Sequence, residues 1–332
     1  MSSSRDWAPA ASPDALRARA AMLRAIRAFF ADREVLEVET PLLAARSATE
    51  PHLVPFETLF RPAGGGAGLQ QRLFLQTSPE FAMKRLLASG LGSIYQICKA
   101  FRNEERGRLH NPEFTLLEWY RVGFSLNELI RETESLLRGL LTPSRPTIRS
   151  FCCDYRSLFE QEVGTDPINA DFPALARAAE RLGYPEAAVL CAEARPVWLD
   201  FLFSQGVQPK LADWDLVFVT DFPACLPSLA RNHPDNPAIV ERVEVFIDGI
   251  ELGNGFHELA DPVEQARRFE EDMAARRALG LHEPEKDVRL LAALAAGLPD
   301  CSGIAIGLDR LLMGILGASH IEDVLAFPVE RA

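Results

Sequence analysis

The stretch FRNEERGRLHNPEFTLLEWYR, Phe101 to Arg121, constrains the fold more than any other part of the chain. From Phe114 to Tyr120 its residues alternate, with Phe114, Leu116, Glu118 and Tyr120 on one face of a strand and Thr115, Leu117 and Trp119 on the other. Glu105 to Pro112 is polar and carries Gly107 and Pro112, the composition of a loop. The spacing predicts a hairpin of strand, basic loop and strand. Arg102 is a planar fork suited to a carboxylate or phosphate oxygen, and it keeps its charge when partly desolvated. If the first strand runs on, Glu104 shares its face. An aromatic ring of the hairpin is available to stack on a flat heterocycle. These residues alone leave two readings: a nucleotide site without a glycine-rich phosphate loop, or a surface hairpin with ordinary ion pairs.

A second hairpin is legible in ERVEVFIDGIELGNGFHEL, Glu241 to Leu259. Val243, Val245 and Ile247 alternate with Glu244 and Phe246, and Asp248-Gly249 is a two-residue turn that favours a tight hairpin. Ile247 then pairs with Ile250 and Phe246 with Glu251, which puts Glu244 and Glu251 diagonally across one face. Diagonal neighbours lie roughly 7–8 Å apart at the backbone, a gap that two long acidic side chains can close around a shared cation. Magnesium held to ATP phosphates fits such a pair, since this ion takes one or two carboxylates plus phosphate oxygens. A solvated acidic edge is the other reading.

The remaining segments are placed more coarsely. Leu16 to Arg33 carries an apolar stripe of Leu16, Ala20, Leu23, Ile26 and Phe30 and is expected to be a helix docked on the core. Ser78 and Pro79 read as the cap and first residue of a helix to Leu87, and Leu126 to Leu141 as another. Asp261-Pro262-Val263-Glu264 resembles a capping box opening a helix to about Leu279. Gly64 to Gly68 reads as a flexible loop, a hairpin tip or, more simply, a connector, and Phe151 to Pro237 as a more helical stretch without recognisable chemistry.

A chain of 332 residues with 48% hydrophobic and 25% charged residues can bury a large core, and no linker divides it. No apolar run of about 18 residues and no apolar signal core is present, so a cytoplasmic protein that neither spans a membrane nor is secreted is expected. Cys98, Cys152, Cys153, Cys191, Cys225 and Cys301 show no metal-ligand spacing and are expected to be reduced core residues. The formal charge of -12 argues against extended contact with phosphate backbones.

The run from Phe101 to Arg121 resembles motif 2 of the class II aminoacyl-tRNA synthetases of the lysyl, aspartyl and asparaginyl subgroup, with FRNE followed by HNPEFT most similar to the lysyl enzymes. Gly303 to Arg310, GIAIGLDR, resembles motif 3, and Val35 to Leu43, VLEVETPLL, resembles motif 1, the element of the class II dimer interface. The resemblance implies an α+β class II catalytic fold, a mainly antiparallel sheet flanked by helices. It implies a tail over residues 1–13, a single catalytic domain over 14–332 with a helical insertion at about 151–237, and a homodimer. It further implies ATP as co-substrate and Mg²⁺ held by Glu244 and Glu251. By the same resemblance Arg102 bridges the substrate carboxylate and the α-phosphate, Glu104 and Asn111 bind adenine, and Phe114 stacks on the ring. Arg310 neutralises the γ-phosphate, Gly303 and Gly307 allow close backbone approach, and Glu251 and Leu252 join the ATP contacts. Ser78 and Glu80 bind the substrate, Glu80 at its amino group, while Glu258 receives the side-chain ammonium with help from Tyr120. His110 either touches phosphate or only orders its loop.

The lysyl-tRNA synthetases carry an anticodon-binding barrel ahead of motif 1, where this chain has only a short segment. They also usually have Gly where GIAIG has Ala305. In both respects, and in HLVPFET, Tyr95 to Glu105, ELGNGFHEL and LPDCSG, the chain resembles the short lysyl-synthetase paralogues that ligate (R)-β-lysine to a lysine of translation elongation factor P. The acceptor implied is that factor and not tRNA. Activation of lysine for another acceptor, and a catalytically silent regulatory paralogue, are the alternatives.

Overall fold

A computed structural model describes residues 7–51, 53–63, 70–226 and 228–332. The reading of Gly64 to Gly68, and residues 1–6 of the expected tail, lie outside the described residues. The chain divides into two compact units, one comprising 1–123, 260–301 and 305–332, the other 124–259 and 302–304.

The first unit opens with helix α1, Pro13–Ala31. Ser12 caps it, accepting from the Ala15 amide at 3.1 Å, and Pro13 occupies the first turn, where its missing N–H costs nothing. The helix starts three residues before the expected Leu16. Its buried face is Ala15, Met22, Ile26 and Phe30; Leu16 and Leu23 flank that face and Ala20 is exposed, so the apolar stripe is rotated from the expected one. Strand β1 (Leu36–Glu37) runs parallel to β5 (Ile94–Phe101), and β5 pairs antiparallel with β6 (Glu113–Val122). A separate sheet orders β2 (Leu43–Ala44), β4 (Gln71–Leu75) and β3 (Glu57–Phe60). Helix α2, Glu80–Ala88, follows β4. Phe30 stacks on Tyr95 with ring centroids 4.4 Å apart and meets Trp119 edge-on at 5.4 Å, so one aromatic of α1 fastens it to both long strands. Burying a side chain of that size stabilises by about 1.5–3 kcal/mol.

The second unit begins with α3, Leu126–Leu141, as expected, with a complete capping box between Ser125 and Glu128. Strands β7 (Ser150–Asp154) and β8 (Leu216–Pro223) are parallel neighbours, with helices α4 (Tyr155–Val163), α5 (Phe172–Arg181), α6 (Ala187–Cys191), α7 (Arg195–Leu202) and α8 (Gln208–Leu211) between them and a π-turn at Phe203–Val207. The helical stretch is therefore shorter than the expected 151–237. Leu216 to Val219 is an apolar run buried on both faces, which is how an interior strand reads. The core of this unit is an aromatic cluster in which Tyr155 stacks on Phe203 at 5.0 Å and meets Phe222 at 5.0 Å. After β9 (Asn232–His233), β10 (Asn236–Ile247) pairs antiparallel with β8, β9 and β11 (Ile250–His257). The tight turn falls at Asp248-Gly249, with φ of 50° and 76°, the positive pair that a type I′ turn requires. Arg145 clamps Asp248 with two bonds of 2.6 and 2.5 Å.

The chain then returns to the first unit through α9 (Pro262–Ala278) and α10 (Val288–Gly297). Asp261 caps α9, but Glu264 turns to Arg267 and Arg268 instead of reaching back, so only half of the expected box forms. Strand β12 (Cys301–Gly307) leads directly into α11 (Leu308–Leu316), so GIAIGLDR runs from strand into helix. The cysteines are free thiols; Cys152 and Cys225 are exposed, contrary to the expectation of a core position for all six. The arrangement is α+β with mainly antiparallel pairing.

Candidate active site

In the first unit, the residues singled out in the sequence meet around the start of α2 and the face of β6. Pairing of β5 with β6 aligns Gln96 with Glu118, and the two-residue repeat puts Glu118 and Tyr120 on one face. The Tyr120 phenol donates to Glu118 Oε1 at 2.7 Å, and the Ser78 hydroxyl donates to Oε2 at 2.8 Å. Ser78 also accepts from the Glu80 amide at 3.0 Å. The helix begins at Glu80, one residue later than expected, with Pro79 at its cap. Glu80 faces the buried Lys84 one turn on, an ion pair at 2.7 Å with poor hydrogen-bond alignment.

Burial of Glu118 pushes its carboxyl up to about 7, and the charge of Glu80 pushes the same way. The bonds from Tyr120 and Ser78 and the charge of Lys84 oppose them. Two carboxylates and one ammonium thus share a desolvated spot whose net charge favours a cation brought to it. Sequence reasoning placed Glu118 on this face but gave it no role. Its signal was an acid in an otherwise apolar and aromatic run, TLLEWY, which only burial could make costly.

The phosphate-binding candidates lie on the β5–β6 hairpin and on α11. Arg102 follows the end of β5, its amide donating to Pro112 O at 2.9 Å, and its guanidinium sits 5.0 Å from the Phe114 ring centroid. The face of Phe114 expected to stack on a base therefore has a cation beside it. Glu104 is not on the strand: it lies in an exposed turn with φ of 71°, so the expectation that it shares a strand face with Arg102 fails. The reason is that β5 stops at Phe101.

Arg310 Nη2 approaches His110 Nε2 at 2.7 Å and its Nε donates to Leu109 O at 3.2 Å. His110 is thus tied to the motif 3 arginine. The preceding residue, Asp309, is buried; it accepts from Arg19 at 2.5 Å and from the Thr115 amide at 2.7 Å. That carboxylate locks α11 to both α1 and β6 and thereby fixes where Arg310 emerges. Asn111 is buried, donating to Glu113 O at 2.6 Å and accepting from the Val329 amide at 3.0 Å, so part of its amide is spent on the backbone.

The second unit holds the other candidates. Ile247 pairs with Ile250 and Phe246 with Glu251 as expected, but a bulge between Val245 and Phe246 sets Glu244 opposite Asn254 instead of Gly253. The extra residue is Leu252, whose side chain is buried. Glu244 and Glu251 keep a common face. Burial raises the Glu244 carboxyl to about 7, Arg242 opposes this, and Glu251 adds to it. Arg242 donates to Glu244 Oε1 at 2.5 Å and to Asn254 Oδ1 at 3.1 Å, a partner that sequence reasoning missed. Two facing carboxylates with hard oxygen donors suit Mg²⁺, with Arg242 occupying one oxygen of the pair.

Glu258 is buried beside an isolated bridge between its own backbone and Ala230, and its carbonyl accepts from Arg231 Nε at 3.2 Å. It is a buried acid and not a loop residue in solvent. A close approach does occur at Gly303, made by another glycine: a Cβ on Gly255 would lie 2.9 Å from Gly303 O and 2.8 Å from Ile304 Cβ. Ala305 and Gly307 follow on β12.

Residues 5–331 match the family described as tRNA synthetases class II (D, K and N). The chain is 48% identical over 330 residues to the elongation factor P–(R)-β-lysine ligase of Vibrio cholerae serotype O1, covering 98% of this chain and 99% of that one. It is 47% identical over 332 residues to the proteins of the same name from Salmonella dublin and Salmonella paratyphi B, covering 100% of both chains in each case.

Proposed function

The chain belongs to the class II tRNA synthetases of the D, K and N group, and from that membership we propose that it activates (R)-β-lysine with ATP and ligates it to a lysine side chain of translation elongation factor P. The observation that carries the substrate class is the buried Glu118, held by Ser78 and Tyr120 with Glu80 beside it. Lysine and β-lysine each bring two ammonium groups, and a site that has already desolvated its carboxylates recognises them strongly, because a neutral competitor brings no charge to the two acids that share one lysine.

The reaction is in-line attack of the substrate carboxylate on the α-phosphorus of ATP, which forms an aminoacyl-adenylate and releases pyrophosphate. The acceptor amine then attacks the acyl carbon, an amide forms, and AMP leaves. No side chain need act as nucleophile, so catalysis is positioning and charge neutralisation. Arg102 is assigned the substrate carboxylate and the α-phosphate. Arg310, with His110 at its side, is assigned the γ-phosphate, and Glu104, Asn111 and Phe114 the adenine. Glu80 and Ser78 are assigned the amino end of the substrate, while Tyr120, Glu118 and Glu258 are assigned its side-chain ammonium. Gly303, Gly307 and Leu252 are assigned backbone approach to ATP. Glu244 and Glu251 would hold Mg²⁺, which supplies charge compensation for the polyphosphate; Arg242 orients Glu244 for that task.

Ala305 is proposed to shape the pocket for an amino group moved by one carbon, a discrimination of about 1–3 kcal/mol for one methyl. Residues 14–332 are proposed to work as one catalytic domain, as a homodimer through the motif 1 element, in the cytoplasm. Among the described residues no helix is long and apolar enough to cross a membrane. The test of the activation step is ATP–pyrophosphate exchange with each lysine isomer. Exchange that depends on β-lysine supports the reading, and no exchange with either isomer refutes it.

A further inference from the structure

Glu258 lies one residue past the end of β11, beyond the rung that pairs Phe256 with Arg242 of β10. Its backbone is held from the other side, by residues 229–231 of the same unit. Ala230 bridges to Glu258, the Arg231 amide donates to His257 O at 2.9 Å, and the Leu259 amide donates to Leu229 O at 3.3 Å. To this short ladder Arg231 adds its side chain, with Nε donating to Glu258 O at 3.2 Å.

An arginine side chain carries about 2 kcal/mol of rotamer entropy, so it holds a carbonyl firmly only if something holds the arginine. Glu241 of β10 does so: its Oε2 lies 4.0 Å from Arg231 Nε, and its amide donates to Arg231 O at 3.0 Å. The same Oε2 lies 3.0 Å from His257 Nδ1. A carboxylate only accepts, so the ring carries its proton on Nδ1. The bonds therefore close a circuit from Glu258 to Arg231, from Arg231 to Glu241, and from Glu241 back to His257, the neighbour of Glu258. The side chains of Arg231, Glu241 and His257 are 30%, 20% and 11% exposed, so water screens this circuit less than it screens a surface ion pair. The two-residue repeat of β11 turns His257 to the face opposite Phe256 and Glu258. Glu241 and His257 thus act on a ligand of Glu258 through the backbone of that residue.

We propose that Arg231 is a positioning residue for Glu258, held in place by Glu241 and His257, and that it sets the affinity for the substrate's side-chain ammonium; this rests on the assignment of Glu258 to that ammonium. A carboxylate that is to meet an ammonium must be placed to within about 0.5 Å, and the groups behind it supply that placement.

The test is ATP–pyrophosphate exchange by the full chain, with KM measured separately for ATP and for whichever lysine isomer the parent protein exchanges. Arg231→Met is expected to raise the amino-acid KM about tenfold, the value of a hydrogen bond made by a charged group, and to leave the ATP KM within twofold. Arg231→Lys restores a charged donor where one bond is needed and is expected to recover the amino-acid KM to within about threefold of the parent. Glu241→Gln keeps an acceptor for His257 but removes the charge beside Arg231; it is expected to raise the same KM about threefold, and it carries the test if Arg231→Met does not fold. A role in folding alone would lower the active fraction, and with it the apparent kcat, at unchanged KM. An unchanged amino-acid KM, an ATP KM that rises in step, or Arg231→Lys as impaired as Arg231→Met overturns the proposal while leaving the activation reaction in place. A parent protein that exchanges with neither isomer overturns the reaction, and the proposal with it.

Discussion

Tyr120 donates its phenol to Glu118 Oε1 at 2.7 Å, two residues back along the same strand, and the pair is buried together. A residue two positions away is the nearest that the same strand can offer on the acid's own face. The bond keeps the carboxylate in place while leaving it short of positive charge, which is what a site for an ammonium needs.

Removing that phenol while keeping its ring isolates the bond. Tyr120→Phe is expected to raise KM for the amino-acid substrate by about 10-fold or more, the value of a hydrogen bond to a charged group, with a smaller effect on kcat. Pyrophosphate-exchange kinetics read the split directly. A change in kcat with KM untouched would place Tyr120 at the reacting atoms instead.

The titration of Glu118 gives a stability prediction with a definite sign. Its folded value, about 7, lies above the ordinary carboxyl value of 4.5, so the fold holds this proton longer than the unfolded chain does. The stabilising contribution is complete below pH 4.5 and is lost as the pH rises through about 7. Glu118→Gln, which removes the charge, is therefore expected to gain more Tm over the parent at pH 8 than at pH 5 while losing amino-acid binding. Thermal unfolding at the two pH values checks it; an equal difference at both would contradict the assignment.

Asp309 joins Arg19 on α1 to the Thr115 amide on β6, and its carboxylate is almost wholly buried. Asp309→Ala leaves the Arg19 guanidinium without its counter-charge, with only the Val324 carbonyl at 2.9 Å, and the Thr115 amide without its acceptor, so a loss of about 3 kcal/mol is expected. Denaturant titration measures it. Because α11 also carries Arg310, exchange activity is expected to fall even where the variant is folded.

Gly255 presses against the Gly303 carbonyl and Ile304, and neither is the end of a flexible chain. Gly255→Ala is expected to cost about 1–3 kcal/mol through overpacking. The same substitution at Gly107, where an added Cβ meets nothing within 4 Å, is expected to cost far less, and the two midpoints compared in urea decide it.

Much of this was legible in the residues. The alternation from Phe114 to Tyr120, the polar loop before it and the Asp248-Gly249 turn each encode local geometry, so both hairpins and the Phe246–Glu251 pairing appear as read. The bulge at Val245/Phe246 was not legible, because inserting Leu252 leaves the apolar pattern of β11 intact. Glu104 was misplaced since nothing in FRNE marks where the strand stops, and the backbone there turns to a positive φ at a residue that is not glycine. The part played by Glu118 escaped because an acid among apolar residues looks the same in sequence whether it is exposed or buried. Arg242 and Asp309 were missed for a related reason: Asn254 reaches Arg242 only through the bulged sheet register, and helix packing brings Asp309 to Thr115 from 194 residues away.

The central claim is the reaction itself, and mass spectrometry of purified elongation factor P tests it most directly. After incubation with this protein, ATP and each lysine isomer, the account predicts one added β-lysyl group on a single lysine of the factor, with AMP and pyrophosphate formed. An unmodified factor alongside lysylated tRNA under the same conditions would contradict it.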